Sequence, residues 1–178
     1  MRELFTMDLK NYDPNGTVGR RPSVRGIIIK DGRIAMMHSC RYDYYKLPGG
    51  GIEPGESLEE TLVREVQEES GLLVKKDSIQ EFGYVKRIEK GKSDPIFLQE
   101  NFYFVCEAED ESGQRNLDDY EAFEEFTLEF VTPEHAITTN KQSDHGEKAT
   151  SQTFAGMLLR ENMVLERLVQ EGYFCDRN

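Results

Sequence analysis

Apolar residues fall in short β-rich runs over most of the chain and at helical spacing near its end. Residues 24–30 and 33–38 are two such runs, joined by Asp31-Gly32, a pair that favours the tight turn of a hairpin. Residues 44–47 then lead into Leu47-Pro48-Gly49-Gly50-Gly51, a glycine loop that excludes regular helix. Residues 79–88 and 96–106 read as longer strands separated by the breaker-rich EKGKSDP, and residues 126–131 as another. Residues 133–138 open a short helix, and the polar stretch 140–148, NKQSDHGEK, is expected to be a mobile loop. Residues 151–170 carry Phe154, Met157, Leu158, Val164, Leu165 and Leu168 at helical spacing and are expected to close the core. Strands before and after a helix, followed by a terminal helix, predict an α/β fold with a sheet layered between helices.

The central helix is the best marked element. Pro54-Gly55 turns the chain, Ser57 and Glu60 form a capping box that starts the helix at Leu58, and Gly71 suits its left-handed end. Leu58, Leu62, Val63 and Val66 make the apolar stripe that packs on a sheet. Glu65 and Glu69 border this stripe, and Glu68 lies further round. Their i, i+3, i+4 spacing puts three carboxylates on one flank of the helix, where each like-charge pair costs about 0.2–0.5 kcal/mol. A hard divalent cation bound through carboxylate oxygens turns that repulsion into attraction. The flexible glycine loop leaves backbone carbonyls free for the same cation, Gly49 first among them. Replacing Glu68 or Glu69 by Gln is then expected to keep or raise stability without metal.

Gly50, Glu56, Arg64, Glu65, Val66, Glu68, Glu69, Gly71 and Leu72 fit G-x5-E-x7-R-E-U-x-E-E-x-G-U, with U aliphatic, at every position. Residues 50–72 thus resemble the Nudix box. The resemblance implies an α/β/α sandwich with a mixed β-sheet between helices, and a hydrolase of phosphoric anhydrides. It also implies that Gly49, through its carbonyl, and Glu65, Glu68 and Glu69 bind the cations, with one glutamate serving as a base. Arg64 would orient a neighbouring carboxylate, and Glu56 would pair with it or contact outer-shell water.

Length and composition are compatible with one domain over residues 1–178: 37% hydrophobic and 31% charged residues suit a globular chain. A net charge of −12 argues against duplex nucleic acid as a partner, because neutralising phosphates needs surplus Lys and Arg. It leaves room for a small phosphorylated substrate, since bound cations make a site locally positive. No apolar run approaches the ~18 residues of a membrane span, so no membrane partner is expected. The beginning, MRELFTMDLKNYD, is too charged for a signal peptide, which predicts a cytoplasmic protein. Cys40, Cys106 and Cys175 are odd in number and scattered, against a disulfide framework or zinc site. A homodimer is left open.

Several further residues are candidates. Asp118, Asp119, Glu121, Glu124 and Glu125 precede the last strand, where many Nudix enzymes place an additional acid facing the box. Glu124 and Glu125 lie nearest that strand and lead as the base, against the plain alternative of a solvated acidic loop. Glu100, inside an apolar strand, either reaches the site or sits on the open face of the sheet. Tyr42, Tyr44, Tyr45, Phe102, Tyr103 and Phe104 are core or base-stacking aromatics, core being the commoner fate. Arg25, Arg41 and Lys46 are candidates to meet substrate phosphates or to lie at the surface. His38, His135 and His145 show no ligand spacing.

The reading reached is a Mg2+-dependent hydrolase, with Mn2+ as substitute, that cleaves the pyrophosphate of a nucleoside diphosphate linked to a moiety X. Nucleoside triphosphates and nucleotide sugars stand equal as substrates. The alternatives are a nucleotide-binding regulatory Nudix domain without turnover, against which the intact box weighs, and an isoprenoid-type isomerase using Cys40.

Overall fold

The computed structural model describes residues 1–91 and 93–175. Lys92, within the breaker segment, and residues 176–178 lie outside the described residues. In chain order the elements are β1 (Glu3–Asp8), β2 (Val18–Arg20), β3 (Ser23–Ile27), β4 (Ile29–Lys30), β5 (Arg33–Ser39) and β6 (Tyr44–Lys46). There follow α1 (Leu58–Ser70), β7 (Leu72–Val74), β8 (Gln80–Glu89), β9 (Ile96–Val105) and β10 (Ala108–Ser112). The chain continues through α2 (Asp119–Phe123), β11 (Phe126–Val131), α3 (Pro133–Gln142) and α4 (Gln152–Gln170).

The long hairpin β8–β9 forms the centre of a mixed sheet. It pairs in antiparallel register from Gln80↔Val105 to Glu89↔Phe97, with β1 parallel to β8 and both β2 and β3 parallel to β9. A second sheet is built on β5, which pairs antiparallel with β4, β6 and β11. The apolar run 24–30 therefore serves both sheets: β3 lies on β9, the chain breaks at Ile28, and β4 continues onto β5. Asp31 and Gly32 both take positive φ, 52° and 68°, as a two-residue turn between β4 and β5 requires.

Alternation along β5 divides the core. Ile34 and Met36 face Leu165, Leu168 and Ala136 on the α3–α4 side, whereas Ala35 joins Leu62 and Val66 on the α1 side. Helices thus cover both faces, giving the α/β/α arrangement of a mixed sheet between helices. Leu165, fully buried, is central to one layer. Leu165→Ala is expected to cost about 2–5 kcal/mol through lost transfer energy plus an unfilled cavity, read as a lower urea midpoint at unchanged slope.

Local signals set the helix ends. The Ser57–Glu60 capping box is complete, and α1 ends on Gly71 in the left-handed region (φ 80°), its N–H donating to the Gln67 carbonyl. Pro133 opens α3 behind a Thr132 cap, and Ser151 caps α4. The segment 140–148, expected to be a loop, instead ends α3 at Gln142 and enters a 3-10 turn at Gly146. Asn140 completes α3 with a buried amide that accepts from the Tyr45 N–H (2.8 Å) and donates to the Tyr45 carbonyl (3.0 Å), in effect adding a strand partner to β6. His145, also buried, bridges the carbonyls of Tyr42 and Asn140 (2.8 and 3.2 Å). Polar residues that satisfy backbone this way fold inward despite their composition.

Candidate active site

The glycine loop between β6 and α1, the flank of α1, the start of β3 and the helix α2 enclose a cleft of about 270 Å³. Its walls include Arg21, Arg25, Gly49, Glu65, Glu69 and Glu121.

Arg64 gathers the outer acids. Its guanidinium makes a two-pronged contact with Glu56 (2.6 and 2.8 Å), donates to Glu65 (2.7 Å) and Glu68 (3.0 Å), and reaches the Gly51 carbonyl (3.1 Å). Planar donors in a fixed fork suit this task; an ammonium would not span it. Arg64 holds the Glu56 carboxyl well below the usual range, at about 2, with help from the Glu53 N–H and the Thr61 hydroxyl. Because the folded value is depressed, this stabilisation is present above the ordinary carboxylate range and is lost as pH falls from about 4.5 toward 2. Wild-type protein is therefore expected to show a steeper fall in Tm across that window than Glu56→Gln, measured by thermal melts at stepped pH. Equal slopes would mean that the clamp contributes nothing.

Glu69 sits deeper. One carboxylate oxygen accepts from the Lys46 ammonium (2.8 Å) and the other from the Gly49 N–H (3.0 Å), which fixes the glycine loop against α1. Burial pushes its carboxyl up to about 7, against the pull of Lys46. Burial also raises the Glu65 carboxyl, opposed by Arg64. Gly49 has φ 136°, a conformation that side-chain-bearing residues rarely adopt, and a Cβ at Gly50 would strike the Glu65 carboxylate. The three-acid flank thus meets positive charge from within the chain, Arg64 on Glu65 and Glu68 and Lys46 on Glu69. Among the described residues, no three Asp, Glu, His or Cys side chains gather at metal-ligand spacing.

Of the acidic stretch, the structure brings Glu121 to the cleft and not the expected Glu124 or Glu125. Residues 119–123 form the short helix α2, opened by a capping box of Asp118 and Glu121. Glu121 faces the cleft and accepts from Lys46 (3.1 Å) and Tyr120 (2.8 Å). Although burial acts to raise its carboxyl, these donors and Glu69 hold it at about 2. Glu125 is exposed, takes φ 56° and pairs at 3.8 Å with Arg41, away from the cleft. Glu124 is buried elsewhere, bonded to Tyr44 (2.7 Å), Ser39 and Lys148. The left-handed turn at Glu125 sends the chain into β11 and carries both side chains off the cleft. The sequence signal for Glu121 was available: Asp118-x-x-Glu121 repeats the form of Ser57-x-x-Glu60.

Of the basic candidates, Arg25 lines the cleft and its Nη1 donates to the Gly49 carbonyl, while its buried Nε has no partner among the described residues. Lys46 lies behind the cleft wall, bonded to Glu69, Tyr120 and Glu121, which line it, and Arg41 lies outside, over the Phe123 ring. Sequence reasoning missed Arg21, an exposed cation on the cleft wall. Glu100 sits on the open face near Arg20 (3.7 Å), whereas its neighbour Gln99 lines the cleft. Tyr42, Tyr44, Tyr45, Tyr103 and Phe104 are buried in the core, so no stacking platform is built from them. Cys40 is exposed next to Thr127, outside the cleft, and the other two cysteines are also free. Among the described residues no helix is long and apolar enough to cross a membrane.

The NUDIX domain family matches residues 19–152, and the chain belongs to that family. Its members generally use divalent metal ions and act on small nucleotide-type substrates. Among curated relatives, an ADP-ribose pyrophosphatase of Methanocaldococcus jannaschii is 42% identical over 60 residues, covering 32% of this chain and 36% of the relative. An RNA pyrophosphohydrolase of Teredinibacter turnerae is 46% identical over 59 residues, covering 32% of this chain and 34% of the relative. The chain thus spans only about a third of the length of these relatives. Among solved structures, a NUDIX hydrolase from Nitrosomonas europaea superposes with a TM-score of 0.54 at 16% identity, covering 82% of this chain and 90% of the other, a likeness of fold alone.

Proposed function

We propose that the chain is a single-domain, divalent-metal-dependent hydrolase that cleaves the pyrophosphate bond of a nucleoside diphosphate linked to a moiety X. The observation that carries this reading is the complete box folded as a cleft, with Glu65 and Glu69 on one wall and the Gly49 loop beside them. Glu65, Glu68, Glu69 and the Gly49 carbonyl are the residues that would hold Mg2+, or Mn2+ in its place. The donor set fits: all are oxygens, the preference of a hard cation, and each Glu69 oxygen accepts one hydrogen bond and keeps a lone pair. The glycine at position 50 keeps the space beside Glu65 open. When bound, such a cation would offset charge in the transition state and lower the pKa of an attacking water.

The chain's own residues do the rest. Arg64 orients Glu65, on the cleft wall, and Glu68 beside it. Arg21 and Arg25 supply donors for substrate phosphates at the same cleft. Glu121 is a poor base because its donors hold its carboxyl at about 2, which leaves Glu65 or Glu69 to take the proton from water. The names of the relatives, acting on ADP-ribose and on RNA, support a nucleotide-type substrate without choosing X.

One observation favours the non-catalytic alternative: Glu56, Glu65, Glu68 and Glu69 each already have an internal cation. A panel of nucleoside triphosphates and nucleotide sugars with Mg2+ separates the readings. Triphosphates give a nucleoside monophosphate and pyrophosphate; nucleotide sugars give a monophosphate and a sugar phosphate. Tight binding of a nucleotide with no product from any member of the panel would overturn turnover.

A further inference from the structure

Lys46, on β6 and outside the box, is the cation that joins one box acid, Glu69, to Glu121 of α2. Its side chain is only 8% exposed. The ammonium has three donors, and three acceptors meet it: Glu69 Oε1 at 2.8 Å, Glu121 Oε1 at 3.1 Å and the Tyr120 hydroxyl at 3.2 Å. The Phe126 ring lies beneath it, its centroid 4.6 Å away. Two buried carboxylates brought against a single point would repel strongly in a medium of low dielectric, so a cation or a shared proton has to stand between them. In a cleft built from oxygen donors that place suits a divalent ion, and here an ammonium fills it.

We propose that Lys46 is a built-in substitute for one divalent cation, bridging Glu69 to Glu121 and setting how many metal ions the cleft takes. The proposal rests on the metal-dependent reading above. With the ammonium in place, a divalent ion between Glu69 and Glu121 would face a positive charge at hydrogen-bond distance, so cations are confined to Glu65, Glu68, the Gly49 carbonyl and the free lone pairs of Glu69. Glu121 accordingly positions Lys46 and does not ligate metal. Its remaining oxygen accepts from the Asp118 N–H at 3.1 Å, which ties the bridge to the start of α2. Loss of the ammonium would leave two buried carboxylates facing an empty gap, an oxygen-lined place with the charge that attracts a divalent ion.

The test counts bound Mn2+ per chain by electron paramagnetic resonance and equilibrium dialysis, without substrate, in wild type, Lys46→Met and Lys46→Met/Glu121→Gln. Lys46→Met is expected to bind one Mn2+ more than wild type, and the double variant to return to the wild-type number. Equal numbers in wild type and Lys46→Met, or an extra ion that survives removal of Glu121, would overturn the proposal. Glu121→Gln alone, with Lys46 kept, guards against a Lys46→Met protein that fails to fold. Its Mn2+ affinity is expected to stay within about twofold of wild type, whereas a tenfold loss would make Glu121 a metal ligand and overturn the proposal. Absence of Mn2+ from every protein would also overturn the proposal, and dialysis repeated with a nucleoside triphosphate present would then test the metal-dependent reading by itself.

Discussion

Glu69→Gln and Glu68→Gln are each expected to lower kcat/KM about 10²- to 10⁴-fold, the loss of about 3–5 kcal/mol of charge stabilisation that a displaced cation would carry. Their stabilities should part. Repulsion along the α1 flank led to the expectation that both variants hold or gain stability without metal. For Glu68, partly exposed and sharing Arg64 with two other acids, that expectation stands. For Glu69 it reverses, because the amide leaves the buried Lys46 with one anionic partner instead of two. Glu69→Gln should therefore melt lower than wild type in EDTA, while Glu68→Gln should not. Steady-state kinetics at saturating Mg2+ with melts in EDTA check both halves. Near wild-type turnover in either variant would remove that residue from the metal site.

The largest effect on folding is expected at Glu161, on α4. It is fully buried and accepts from the Leu47 N–H (2.9 Å) and from Arg160 (2.8 Å). Leu47 begins the glycine loop, so this carboxylate pins the loop from the face of the sheet opposite α1. Glu161→Ala leaves a buried guanidinium and a buried N–H without their partner, and should cost about 3–5 kcal/mol. The double variant Arg160→Met/Glu161→Met removes the unpaired charge and should recover much of that loss by urea melt. It does not restore the Leu47 contact, so its Mn2+ affinity should stay below wild type. Full recovery of Mn2+ affinity in the double variant would show that Glu161 acts on folding alone.

Glu161 also marks where sequence reasoning stops. The periodicity of Phe154, Leu158, Val164, Leu165 and Leu168 fixes α4 and its buried face, because apolar burial repeats with the helix. Nothing local distinguishes Arg160, Glu161 and Asn162, which are buried on the same helix, from an ordinary solvated polar turn. Their partners, on β9, α3 and the glycine loop, are set by tertiary contacts alone. The box was legible for the opposite reason: its cap, stripe and acids all lie within one loop and helix. Lys46 and Glu121 join it only through the fold, the one from an edge strand and the other from α2. The strand β1 escaped notice because MRELFTMDLKNYD mixes charge into a strand whose burial is mostly partial.

The proposed reaction is attack of water on a phosphoric anhydride with the help of a divalent ion. Hydrolysis of the nucleotide panel in oxygen-18 water, followed by mass spectrometry of the phosphate products, addresses both parts at once. One labelled oxygen per cleavage is expected with Mg2+ or Mn2+, near-complete loss of label incorporation in EDTA, and little in Glu69→Gln. Labelled product formed equally well in EDTA, or no labelled product from any substrate with metal present, would contradict it.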